Sequence, residues 1–336
     1  MKNSEGRCNH IIILRVLFTF GILIFHYNFY LHWYVWTEGF FFISGYLLAK
    51  EAEKRVPLHI YQYAKHRIKK LYPYYLFAIT MYFLAENIKM GCSLNEWISN
   101  FKSAIPQFLC FQMLGFSQTH LYNEPGWYVS ALLCTSIIIY SLIIKIKKKY
   151  LILGIPAAVM IYIYFWLDMQ NTVNVYAQRM LFVSAGFWRA LAGMSLGVAG
   201  FYIKGKIEVH IKERYKTWLI YMPLLAVVVL SAFNITQVLY EMISIICIYI
   251  SVVFGFMTTT KNYKDNCVIQ SLEQHSYELY LNQAIIMWVI CRKWIWVEGI
   301  TFINGVLWIV LNILYTYLLL YIFKKIKLIG RCRRKE

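Results

Sequence analysis

Charge is scarce in this sequence. Asp, Glu, Lys and Arg together make up 15% of its 336 residues, against about 25% in an ordinary soluble domain. So few charges cannot cover a water-soluble globule of this size, and a soluble enzyme is excluded. Acid is scarcer than base: 16 Asp and Glu stand against 34 Lys and Arg, for a net charge of +18. Six prolines and 17 glycines exclude a collagenous or linker-like chain. The eight cysteines include no CxxC pair and no Cys/His cluster, so nothing points to a metal site. There is no P-loop and no GxGxxG, which removes nucleotide hydrolysis from the candidate functions. No internal repeat of the kind many transporters carry is visible.

What the chain has is apolar surface. Hydrophobic residues are 60%, aromatics 18%, and mean hydropathy is +0.51. That excess excludes disorder. The apolar runs are far longer than a barrel strand and do not alternate, which excludes a membrane β-barrel. The expected fold is all-α, a polytopic membrane bundle forming one domain over 1–336. Runs near 11–31, 35–49, 71–89, 127–144, 150–168, 182–203, 218–234, 239–258, 277–297 and 302–323 each approach the ~20 residues a span needs. A further stretch, 104–116, is punctuated by Pro106 and reads as interfacial or re-entrant. The first run lacks a small-residue cleavage motif and reads as a span rather than a leader.

About ten spans place both termini on one side. With that side cytoplasmic, the inner segments hold 27 of the 34 Lys and Arg, and no outer loop is rich in either. The basic charge is therefore explained by membrane orientation, without nucleic acid. The embedded region is 11–323, and 324–336 is a basic cytoplasmic tail. Cys92 and Cys110 share an outer segment in this scheme, and the spacing leaves a disulfide between them open.

Charged residues inside spans are costly and are functional candidates by default. Arg15 and His26 stand eleven residues apart in the first span. Eleven residues turn a helix by about 1100°, three turns plus ~20°, and raise it ~16 Å. Both side chains therefore face one way, Arg15 just inside the cytoplasmic boundary and His26 near or beyond the midplane. Glu38 opens the segment Glu38-Gly-Phe-Phe-Phe-Ile-Ser44-Gly45-Tyr46. It is either a mouth residue in water or the group that orients His26. Arg67 to Pro73 is a basic inner loop ending at a span-opening proline, and Arg67 and Lys70 suit an anionic, phosphate-bearing donor. Glu124-Pro-Gly-Trp127-Tyr128 marks an outer entry. Arg189 lies deep in a span and calls for a buried acid or a bound anion. Ser276-Tyr277-Glu278-Leu279-Tyr280-Leu281-Asn282 opens the ninth span.

Taken in order, these patches resemble bacterial acyltransferase family 3, whose members are integral-membrane O-acyltransferases. Arg15 and His26 match its Arg-x10-His motif, and Glu38–Tyr46 its acidic-x-Phe-Phe-x-x-Ser-Gly segment. Arg67–Pro73, Trp127-Tyr128, Arg189 with Gly193, and Ser276–Leu281 follow in the family's order. Asn282 stands where the family commonly has His, and Glu38 where Asp is common. The resemblance implies transfer of an acyl group, usually acetyl, from cytosolic acyl-CoA to a sugar hydroxyl of a cell-surface or exported polysaccharide. Acyl-CoA is a co-substrate, and no cofactor or metal is implied. On this reading His26, Arg15 and Glu38 are catalytic. Arg67, Lys70 and Arg189 bind donor, and Trp127, Tyr128 and Glu124 face the polysaccharide or lipid-linked acceptor. A bacterial plasma membrane is the implied location. Two competing readings are a polysaccharide export component and a small-anion transporter. The second accounts for buried arginines but not for the ordered motifs. A membrane acyltransferase of the late-histidine type has only His275 to offer.

Overall fold

A computed structural model describes residues 9–27, 31–116, 121–208, 212–233, 235–258, 267–286 and 302–332. The long apolar runs are helical, as their length and their lack of alternation demand. The helices are α1 (Asn9–Tyr27), α2 (Trp36–Ala52), α3 (Ile60–Met90), α4 (Leu94–Phe108), α5 (Gly126–Ile146) and α6 (Tyr150–Leu167). Then come α7 (Ala185–Glu208), α8 (Glu213–Leu230), α9 (Gln237–Met257), α10 (Cys267–Gln274), α11 (Ser276–Ile285) and α12 (Phe302–Cys332). Two short antiparallel strands, Arg179–Met180 and Val183–Ser184, lead into α7. Each of the ten apolar runs contains a helix, although the sixth opens on the strand Val183–Ser184 and the seventh extends beyond α8, which ends at Leu230. Residues 287–297 of the ninth run lie outside the described residues, as do the loop lysines Lys261 and Lys264.

By length and composition, four described stretches can cross a membrane: His10–Tyr27, Gly126–Leu167, Gln237–Met257 and Ile303–Ile326. The second contains both α5 and α6. They part at Lys147, whose positive φ of 48° breaks the helical path among three consecutive lysines.

Three expectations change in detail. The basic segment before Pro73 is not a loop. α3 begins at Ile60 and carries Arg67 and Lys70 on its first turns, with Pro73 inside the helix. α12 likewise runs on through Lys324 and Lys325 instead of ending at residue 323. Cys92 and Cys110 are both free thiols.

The stretch 104–116 joins the amphipathic helix α4 to a short turn. Leu94, Ile98, Phe101 and Ile105 are exposed at helical spacing along one face of α4. Its start is a capping box. The Ser93 hydroxyl and amide both bond Glu96, at 2.7 Å each, and hold that carboxyl below its usual pKa. Gly91 ends α3 in the left-handed conformation (φ 65°), which only glycine adopts freely.

The crossing of α2 with α7 positions the rest. A Cβ on Gly45 would stand 2.0 Å from the Met194 carbonyl oxygen, and one on Gly197 2.2 Å from that of Phe42. A Cβ on Gly193 would meet Phe41 at 2.7 Å and the Glu38 carboxylate at 3.0 Å. Arg189, Gly193 and Gly197 repeat every fourth residue, so they share one face of α7. That face lets α2 lie against it backbone to backbone, as small residues do in membrane helices.

Candidate active site

Helix α1 carries its two polar candidates into two different cavities. Arg15 lines a cavity of about 430 Å³ together with Arg67, Lys70, Ser44, Tyr128, Glu273 and Tyr280. His26, just over three turns further along α1, lines a smaller one of about 90 Å³ with Glu124, Trp127, Tyr176, Arg189 and Tyr280. The larger holds three basic side chains and two carboxylates, Glu273 and Glu278, between apolar and aromatic walls. Its three basic side chains come from α1 and α3. Arg15 is paired there with Glu273 of α10, Nη1 to Oε1 2.6 Å.

The smaller cavity has a constructed frame behind it. Arg189 of α7 is almost wholly buried and points Nε at Glu38 Oε1, 2.5 Å away. Its other nitrogens donate to the carbonyls of Tyr34 (3.0 Å) and Val173 (3.2 Å), and its guanidinium lies over the Trp127 ring at 5.4 Å. Glu38 is fully buried, and its second oxygen accepts from the Tyr162 hydroxyl at 2.6 Å. Glu38 is thus neither in water nor bonded to the His26 ring. The carboxylate that shares the His26 cavity is Glu124, which accepts a short hydrogen bond from Tyr176. Tyr176 stacks on Trp127 with ring centroids 5.0 Å apart, fixing one wall of that cavity.

A second buried carboxylate supports the same wall. Glu241 of α9 accepts from Tyr34 (2.5 Å), Thr172 (2.5 Å), Trp166 (2.8 Å) and the Val173 amide (2.9 Å). It ties the segment 172–174 and Tyr34 together, and Asn174 and Tyr34 line the His26 cavity. Sequence reasoning missed Glu241 and Glu273. Glu241 carried a usable signal, since it is the one acid in the apolar stretch 237–257. Glu273 stands in a mixed segment with no such signal.

The candidates therefore separate into groups. Arg15, Arg67 and Lys70 come together at one cavity. His26, Glu124, Trp127 and Arg189 come together at the other. The structure does not bring Arg189 together with Arg67 and Lys70. Glu38 sits behind the His26 cavity, holding Arg189. Tyr128 faces the Arg15 cavity. Asn282, fully buried, donates to Tyr74 Oη (2.7 Å) and Thr316 Oγ1 (3.2 Å), tying α11 to α3 and α12. Among the described residues no three His, Cys, Asp or Glu side chains stand close enough to hold a metal ion.

A helical bundle with apolar stretches long enough to cross a membrane, and with two cavities reached from one helix, fits a membrane protein. The family comparison makes the class specific. The acyltransferase-domain model of acyltransferase family 3 matches residues 9–325, and the chain belongs to that family of acyltransferases. No curated protein and no solved structure gives a significant match.

Proposed function

We propose that this chain is a multi-pass plasma-membrane O-acyltransferase with ten spans and both termini cytoplasmic. It moves an acyl group, acetyl in the simplest case, from cytosolic acyl-CoA to a sugar hydroxyl of a surface polysaccharide or its lipid-linked precursor. The observation that carries this reading is the placement of Arg15 and His26 on one helix but in two cavities. Positive-inside orientation puts the Arg15 cavity toward the cytoplasm. Arg15, Arg67 and Lys70 suit the phosphates of a CoA donor there, Arg67 through its bidentate fork. The ~16 Å rise to His26 is spanned by the donor's extended thioester arm. The acceptor sugar lies in the outer cavity against Trp127, Tyr176 and Glu124.

The chemistry follows from the groups present. The acceptor oxygen attacks the thioester carbonyl carbon, a C–O bond forms and the C–S bond breaks. His26 takes the hydroxyl proton as general base and returns it to the departing thiolate. Glu124 stabilises the imidazolium that exists between those events. Arg189, clamped by Glu38, shapes the cavity instead of binding phosphate.

The test is label transfer. Membranes from cells making wild type or His26→Ala are given radiolabelled acetyl-CoA, and label in the glycan fraction is counted. His26-dependent label supports the reading. Equal label in both removes His26 from the chemistry, and no label in either leaves transport of polymer or anion without acylation in its place.

A further inference from the structure

The two cavities meet at one side chain. Tyr280 lines both, and its ring stands edge-on to Tyr128 with centroids 5.4 Å apart. Tyr128 in turn packs on Phe41 at 4.8 Å and Phe40 at 6.2 Å. These rings form a septum across the path from Arg15 to His26. Tyr277, one turn before Tyr280 on α11, is pinned by its hydroxyl to the Leu71 carbonyl at 2.9 Å. The contact of Tyr280 with Tyr128 is a ring edge, which can swing aside without breaking a hydrogen bond. α11 itself begins at a break in the helix, at His275, that separates it from α10 and its Arg15-bound Glu273.

We propose that Tyr280 is the gate of the acyl path, a residue that controls passage between the donor and acceptor cavities. The inference rests on the acyl-transfer reading. With the ring in place, a thioester seated near Arg15 has no route to His26, and water near His26 has no route to the thioester. With the ring swung away, the acyl group enters the His26 cavity. Enclosure of this kind suppresses hydrolysis of a reactive group.

Removing the ring should therefore uncouple the enzyme. In Tyr280→Ala the thioester reaches His26 without acceptor, and water takes the acceptor's part. The water oxygen attacks the carbonyl, His26 accepts its proton and passes it to the thiolate, and free acid and CoA thiol are released. The experiment uses the purified full chain in proteoliposomes with acetyl-CoA and no acceptor, and reads thiol release. The expected result is a rate in Tyr280→Ala about tenfold or more above wild type, abolished in the double variant with His26→Ala. Tyr280→Phe, which keeps the ring, should stay at the wild-type rate. A Tyr280→Ala rate equal to wild type, or an increase that survives loss of His26, overturns the gate. Membranes of each variant are run beside this in the labelled acetyl-CoA assay. If wild type transfers label through His26 while Tyr280→Ala shows no added hydrolysis, the gate falls and the acyltransferase reading stands. If wild type transfers none, both fall.

Discussion

Glu38 and Arg189 form a fully buried ion pair, 2.5 Å apart, where α2 crosses α7. Gly193 leaves room for that carboxylate, since a Cβ there would approach it to 3.0 Å. The pair explains why an acid at 38, an arginine at 189 and a glycine at 193 occur in one chain. Removing one partner strands a charge in a dry site, at a cost of about 3–5 kcal/mol. Glu38→Gln and Arg189→Met are each expected to lower the detergent-solubilised melting temperature sharply. A double variant that removes both charges should recover part of the loss. A thermal melt of all three measures the coupling, and additive losses would contradict the pairing.

Glu241 serves the His26 cavity at one remove. Glu241→Gln replaces one acceptor oxygen by a donor and leaves at least one of its buried donors unanswered, worth about 1–3 kcal/mol. Because Tyr34 and Asn174 lose their anchor, the KM for acceptor is expected to rise. The KM for acetyl-CoA should stay near wild type, because the Arg15 cavity does not contain Glu241. A rise in both would show a global defect instead.

Arg15 is paired with Glu273 in the cavity proposed for the donor phosphates. Glu273→Gln should free Arg15 and lower the KM for acetyl-CoA. Arg15→Met should raise it by about tenfold or more, the scale of a lost charge-assisted hydrogen bond. Donor titration at two salt concentrations checks this, because an electrostatic site weakens as salt rises.

Glu124 shares a cavity with His26, whereas Glu38 does not. Glu124→Gln is expected to lower kcat about 100-fold, the size of a lost electrostatic stabiliser of the transition state. Tyr176→Phe removes the hydroxyl bonded to Glu124 but keeps the ring stacked on Trp127, and should cost much less. Initial rates at saturating donor separate the two variants.

Local geometry was the legible part of this chain. A helix fixes both angle and rise, so the alignment of Arg15 with His26 followed from their spacing alone. The apolar runs marked their helices for the same reason, and the charge inside a span drew attention to Arg189. Partners were not legible. Glu38 and Arg189 are 151 positions apart, and nothing local states that α2 meets α7. Arg189, buried in a span, called for either an acid or a bound anion. The donor assignment took the anion, while packing supplies the acid, Glu38, and puts Arg189 beside the His26 cavity. Pro73 read as the start of a span because proline suits a first turn. Inside α3 it lies one turn after Lys69 and Lys70, which the helix therefore carries. Tyr280 read as one letter of a late motif, and only the structure puts it on the lining of both cavities.

The central claim is that His26, as general base, promotes transfer of an acyl group to a surface sugar. The most direct measurement is a mass spectrum of surface polysaccharide from cells making wild type, His26→Ala or no protein, with protein levels matched. The account predicts a fixed added mass per sugar unit, equal to one acyl group, with wild type alone. Identical polymer masses in all three, with only the surface amount changed, would contradict it.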